Sequence, residues 1–303
     1  MVLIAPVVLW SCHAPSPEWR DEASVFVGSS PADESVRRIL GIPVTAAADR
    51  VRWRLALRGD ARDRASAQFE LRVQYGSTAP GLLGLPRGVT NIERRGFWSA
   101  SQGVKADPEA AVVVLDTGLA FYRLGDEMLH LLEDDRGLMP GDGGWSYTLN
   151  RRNRAEPELD SALTSAQPDM TYVLEPLAEG PAVFGVYEGR TPCQGIARVL
   201  ELTVEPSCTK AKWRVTLFQE PSTHQPTRYR AEGGLFRRGA REGRWSLIQS
   251  GSDGVKIARL ESDSRPPIYL KVGDENVLFF LDQSLQPLVG HREYSYTLNA
   301  RRP

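Results

Sequence analysis

Ser146-Tyr147-Thr148-Leu149-Asn150 recurs unchanged as Ser295-Tyr296-Thr297-Leu298-Asn299, and an arginine pair follows each copy, Arg151/Arg152 directly and Arg301/Arg302 after Ala300. Working backwards, Gly125-Asp126-Glu127 matches Gly273-Asp274-Glu275, and Gly96, Trp98, Ser99 and Gln102 match Gly243, Trp245, Ser246 and Gln249. Trp53, Leu55 and Leu57 match Trp213, Val215 and Leu217, and Val25–Gly28 with Pro31 matches Val186–Gly189 with Pro192. The order is kept from end to end, which is the signature of an internal repeat. The chain reads as a tandem duplication, residues 22–152 and 182–303. Residues 153–181 between them, with Pro157, Pro168 and Pro176, read as a linker.

Each copy is a series of short strand patterns. Val51-Arg52-Trp53-Arg54-Leu55-Ala56-Leu57-Arg58 alternates apolar and polar residues with period two, as a half-buried strand does, and so does Phe69-Glu70-Leu71-Arg72-Val73-Gln74-Tyr75. Further strands are predicted at 25–28, 97–100, 111–116, 120–124, 128–133 and 145–150. The second copy repeats them at 183–188, 211–218, 228–233, 244–249, 256–261, 268–272, 277–282 and 294–299. A short helix is predicted after the first strand of each copy. Ser30 and Pro31 fit its N-cap and first turn, and Gly41 fits its end. In the second copy Thr191 takes the cap position and Gln194 the place of a capping-box partner. Eight antiparallel strands in series close into a barrel that side chains fill or that holds one small ligand. The expected fold is all-β: two tandem antiparallel β-barrels of about eight strands, each with one short helix after the first strand. An insertion at 76–87 of the first copy, rich in Gly, Pro and Leu, reads as a loop folded over its own barrel, with a lid or a partner patch as the alternative.

The chain has 303 residues, enough for about two domains. Its 37 basic and 38 acidic residues leave a net charge of −1, which disfavours nucleic acid as a partner. Residues 2–10 are apolar but too few to span a bilayer, and they fit the core of a signal peptide over residues 1–11. Leu9-Trp10-Ser11-Cys12 resembles a bacterial lipobox, so Cys12 is the expected lipidation site. Residues 12–21, opening Cys12-His13-Ala14-Pro15-Ser16-Pro17, then form a tether. These features lead to the expectation of a secreted or lipid-anchored protein of the bacterial cell envelope, facing the periplasm or the surface.

With Cys12 set aside, Cys193 and Cys208 form an even pair, and they align with Ala32 and Ala48 of the first copy. Their joint absence there is what a disulfide predicts. The alternative is a reactive or metal-binding thiolate at Cys193. Met128 and His130 share one strand face, and soft ligands of this kind can hold copper. The carboxylates of the two Gly-Asp-Glu segments sit between strands and read as turns. Trp53, Trp98, Trp213 and Trp245 occupy equivalent places, as core residues or as the lining of a ligand pocket. No motif of a nucleophilic, metal-dependent or phosphate-binding enzyme is present in the sequence.

Gly189-Arg190-Thr191-Pro192-Cys193-Gln194-Gly195-Ile196, together with Ser295-Tyr296-Thr297-Leu298, resembles the N-terminal domain of the NlpE-type envelope lipoproteins. In that family a Gly-x-x-Pro-Cys-x-x-Cys segment opens a lipocalin-like barrel ending in a Tyr-Thr-Leu strand. The resemblance covers about 120 residues of the second copy and, more weakly, the first. It implies a non-catalytic outer-membrane lipoprotein linked to surface sensing, envelope stress and copper tolerance, with an envelope protein as partner. The family's second nearby cysteine is missing, since Gln194-Gly195-Ile196 follow Cys193. Two other functions remain open: a carrier of a small lipophilic ligand inside the barrel, and copper binding.

Overall fold

The computed structural model describes residues 23–61, 63, 66–78, 85, 89–152, 176–236, 239–250, 254–263 and 265–301. The signal peptide and tether, most of the linker and most of the insertion at 76–87 lie outside the described residues. The first copy forms eight strands: β1 (Ser24–Pro31), β2 (Arg50–Arg58), β3 (Gln68–Gly76), β4 (Thr90–Val104), β5 (Asp107–Leu115), β6 (Ala120–Leu124), β7 (Met128–Leu131) and β8 (Thr148–Arg151). The second forms β9 (Val183–Thr191), β10 (Ala211–Gln219), β11 (Pro226–Gly233), β12 (Ala240–Ser250), β13 (Val255–Ser262), β14 (Arg265–Val272), β15 (Val277–Leu281) and β16 (Thr297–Ala300). Each set is a closed antiparallel meander in which the last strand pairs with the first.

Closure depends on a glycine in each first strand. A Cβ on Gly28 would lie 2.7 Å from the Thr148 carbonyl oxygen, and one on Gly189 would lie 2.5 Å from that of Thr297. Only glycine lets the closing strand approach this closely. Inside, the period-two pattern packs Trp53, Leu55, Leu71, Phe121 and Tyr147 into one core, and Trp213, Val215, Tyr229, Phe280 and Tyr296 into the other.

The helices are α1 (Glu34–Leu40) and α2 (Cys193–Val199). Their starts differ from the sequence expectation. β1 runs through Pro31, and Asp33 is the α1 N-cap, accepting from Val36 N at 2.9 Å. α2 begins after Pro192 without a side-chain cap, and Gln194 donates instead to the Glu205 carbonyl at 2.9 Å. The hydroxyls expected as caps are taken by tryptophans: Trp53 Nε1 donates to Ser30 Oγ and Trp213 Nε1 to Thr191 Oγ1, both at 2.9 Å. Gly41 does end α1, in the left-handed region at φ 73°.

Cys193 and Cys208 are joined in a disulfide. The first barrel spans the equivalent positions with a guanidinium. Arg37 Nε donates to the Ala32 carbonyl at 2.8 Å, and its Nη2 donates to that of Ala48. The same helix-to-strand tie is covalent in one copy and hydrogen-bonded in the other.

The two barrels pack against each other. Val112, Tyr122, Leu124, Met128 and Leu138 of the first form one apolar cluster with Val277 and Phe279 of the second. This explains why β2 departs from the half-buried pattern. Arg50 and Arg52, on its outer face, are buried under the second barrel and pair with Glu293.

Candidate functional site

The repeated pentapeptide builds the junction between the barrels. In each copy Tyr and Leu point into their own barrel, where Tyr147, Leu149, Tyr296 and Leu298 are core residues. The alternate Ser, Thr and Asn point at the other barrel. Equivalent residues meet across an approximate two-fold axis: Ser146 Oγ lies 2.6 Å from Ser295 Oγ, and Thr148 Oγ1 lies 2.8 Å from Thr297 Oγ1. The asparagines act reciprocally. Asn150 Oδ1 accepts from Gly290 N at 2.8 Å, and Asn299 Oδ1 accepts from Gly141 N at 2.7 Å. An isologous contact of this kind is what a symmetric dimer uses, here made within one chain.

His130 and Phe279 are also repeat equivalents, and they touch edge-on with ring centroids 5.4 Å apart. His130 Nε2 lies 3.0 Å from the Met139 carbonyl oxygen, and Nδ1 lies 2.8 Å from Thr148 Oγ1. Burial depresses its pKa to about 4, against the opposing effect of the Met139 carbonyl, so the ring is neutral near pH 7. A carbonyl only accepts, so Nε2 carries the proton and Nδ1 accepts from Thr148. Thr148 must then accept from Thr297, which accepts from Ser295, which accepts from Ser146. One carbonyl thus sets the direction of four hydroxyls.

Charge at the junction is asymmetric. Burial pushes the Glu293 carboxyl up, but Arg50 and Arg52 outweigh it and hold it below the usual carboxylate range. Asp274 Oδ2 accepts from Leu138 N of the first barrel at 3.1 Å, while Oδ1 takes Asn276 N and Val277 N within its own turn. Burial raises the Asp274 pKa, with those backbone N–H groups opposing. The Gly-Asp-Glu segments are therefore turns, as expected, and one of them also reaches across the junction.

The structure does not assemble the candidate copper set. Cys193 is bonded to Cys208, both ring nitrogens of His130 are engaged, and Met128 is packed in the apolar cluster between the barrels. Among the described residues no group of three or more His, Cys, Asp or Glu is arranged to hold a metal. The four tryptophans are buried and hydrogen-bonded in equivalent ways. Trp98 Nε1 donates to the Arg58 carbonyl at 2.9 Å and Trp245 Nε1 to that of Phe218 at 2.6 Å. Trp98 also lines a cavity of about 410 Å³ at the barrel mouth away from α1. At the matching mouth of the second barrel Phe184 packs against Trp245 with the rings tilted, centroids 5.1 Å apart. Cys12 lies outside the described residues. Among those described, no helix is long and apolar enough to cross a membrane.

Sequence reasoning missed the pairing role of Ser146, Thr148, Asn150 and their copies, and it missed Arg50, Glu293 and Asp274. The signal was present: a pentapeptide kept whole on both of its faces has an outer face with something to match. No protein-family model, curated protein or solved structure matches the chain.

Proposed function

We propose that the chain is a non-catalytic lipoprotein of the bacterial envelope, held at the outer membrane through lipid on Cys12, and similar in role to the NlpE-type lipoproteins. It presents two clamped barrels as one rigid interaction module to an envelope protein partner. The observation that carries this reading is the two-fold junction, which joins two barrels with filled interiors into a single body. The Cys193–Cys208 bridge supports an oxidising compartment. A carrier holding its ligand inside a barrel is less well supported, because Trp53, Phe121 and Tyr147, or Trp213, Tyr229 and Phe280, occupy that space. Copper handling is disfavoured by the bonded Cys193.

The test is production of the full-length chain in a Gram-negative host. Labelled palmitate is expected on the wild type and not on Cys12→Ala. An envelope-stress reporter is expected to respond to the wild type and to lose that response in Thr148→Arg, whose folded barrels are checked by circular dichroism. Absence of palmitate on the wild type, an unchanged reporter response in Thr148→Arg, or stoichiometric copper with Cys193 and Cys208 reduced would each overturn the reading.

A further inference from the structure

In the first barrel, an inward-facing arginine of β4 ties the strand to the end of the helix. Arg94 pairs in register with the core residue Leu71, so its side chain enters the barrel. Its Nη1 and Nη2 donate to the last carbonyls of α1, Ile39 at 3.1 Å and Leu40 at 2.7 Å. The equivalent residue of the second barrel is Arg241, paired in register with the core residue Ala231. Its guanidinium goes elsewhere. Nε donates to Tyr229 Oη at 3.0 Å and Nη2 to the Pro266 carbonyl at 2.7 Å, while Nη1 is buried with no acceptor.

Arg241 is 6% exposed, and among the described residues no carboxylate forms an ion pair with it. A buried charge without a counter-charge is costly unless something supplies one. Its phenol partner is also specific to this copy, because the equivalent position of the first holds Phe69.

Beside Arg241 the second barrel has a cavity of about 620 Å³. Leu202, Leu235 and Phe236 give it an apolar wall, and Arg241, Ser262 and Arg265 a polar one. The acids that also line it are exposed, and one of them, Glu242, is held by Arg230 at 2.5 Å. The lining is more polar than apolar, with the guanidiniums on one side and a short apolar wall on the other, a pairing that suits a small amphiphilic ligand.

We propose that the mouth of the second barrel binds an amphiphilic carboxylate. The carboxylate accepts from the Arg241 guanidinium, Arg265 adds positive charge at the entrance, and the aliphatic part lies along Leu202, Leu235 and Phe236. Charge-assisted bonds to a guanidinium are the strong ones, and they select the anion over a neutral analogue. The proposal goes beyond the envelope-module reading, and its failure leaves that reading standing.

The test is calorimetric titration of the full-length chain with octanoate, and with octanol and acetate as probes of the two halves of the ligand. Octanoate is expected to bind one per chain, with octanol and acetate at least tenfold weaker. Arg241→Met is expected to weaken octanoate at least tenfold in a chain whose fold is checked by circular dichroism. Arg265→Gln, at an exposed position, is expected to weaken it about threefold by removing the entrance charge alone. No octanoate binding, octanol binding as tight as octanoate, or wild-type affinity in Arg241→Met would overturn the proposal. If Arg241→Met does not fold, the wild-type Arg241 Nε–Hε resonance decides: it shifts at saturating octanoate, and an unmoved resonance overturns the site.

Discussion

Acid should loosen the junction through two imidazoles, His130 and His291, both held below the usual histidine range by burial; His130 is the one the repeat allows to be isolated. His130 titrates at about 4 in the folded chain because burial penalises its charged form, whereas an unfolded histidine titrates near ~6.5. The unfolded state therefore takes the proton first. Stability from this residue is complete above ~pH 6.5 and falls as the pH drops toward 4, a loss of about 3 kcal/mol. The structural cost is local. A proton on Nδ1 would face the Thr148 hydroxyl that now donates to it, so the row of hydroxyls would have to reverse. The assay is urea unfolding at several pH values between about 7 and 4, comparing wild type with His130→Phe, which installs the residue that the repeat carries at position 279. The variant should be less stable at neutral pH, since Met139 O and Thr148 Oγ1 lose their partner. Its pH profile should be flatter, because His291 and the carboxylates contribute equally to both proteins. Parallel profiles through this range would refute the reasoning and place the acid sensitivity elsewhere.

Other perturbations test the same architecture. Gly28→Ala and Gly189→Ala each force a methyl against the closing strand; a loss of about 1–3 kcal/mol in urea unfolding is expected from overpacking, and a neutral result would show that the seam is looser than drawn. Reducing Cys193–Cys208, which closes a 15-residue separation, should cost the second barrel about 3 kcal/mol by chain entropy, read as a Tm shift with reductant. Arg37→Ala, which cuts the non-covalent version of that tie, should destabilise the oxidised protein and be insensitive to reductant at its own site. Asn150→Ala and Asn299→Ala strip the acceptors from Gly290 N and Gly141 N; each should cost about 1–3 kcal/mol and raise amide exchange at the exposed glycine.

The barrels were legible because two independent patterns agreed. The repeat fixed the unit, and the alternation Val51, Trp53, Leu55, Leu57 fixed which face of β2 looks inward. The helix starts were misplaced because Ser30 and Thr191 have the right chemistry for a cap but are claimed by Trp53 and Trp213 from a strand distant in sequence. The junction was not read because Ser, Thr and Asn alternating with Tyr and Leu look like an ordinary wet strand face. The arginines of β2 were read the same way, and only Glu293, 241 positions further on from Arg52, shows them to be covered. Arg241 was invisible for a related reason: nothing in an isolated strand says that its guanidinium has lost the helix carbonyls that Arg94 finds.

Joining two self-complementary barrels in one chain changes what dilution can do. A dimer built on the Ser146–Ser295 and Thr148–Thr297 contacts would come apart at low concentration, whereas a tethered pair holds its partner at a fixed effective concentration however scarce the protein is. Tethering also frees the halves from being identical. His130 faces Phe279, a guanidinium stands in for a disulfide, and the equivalent arginines Arg94 and Arg241 take different partners. A homodimer would have to carry every such change twice; this chain carries each one once, on the side where it is useful.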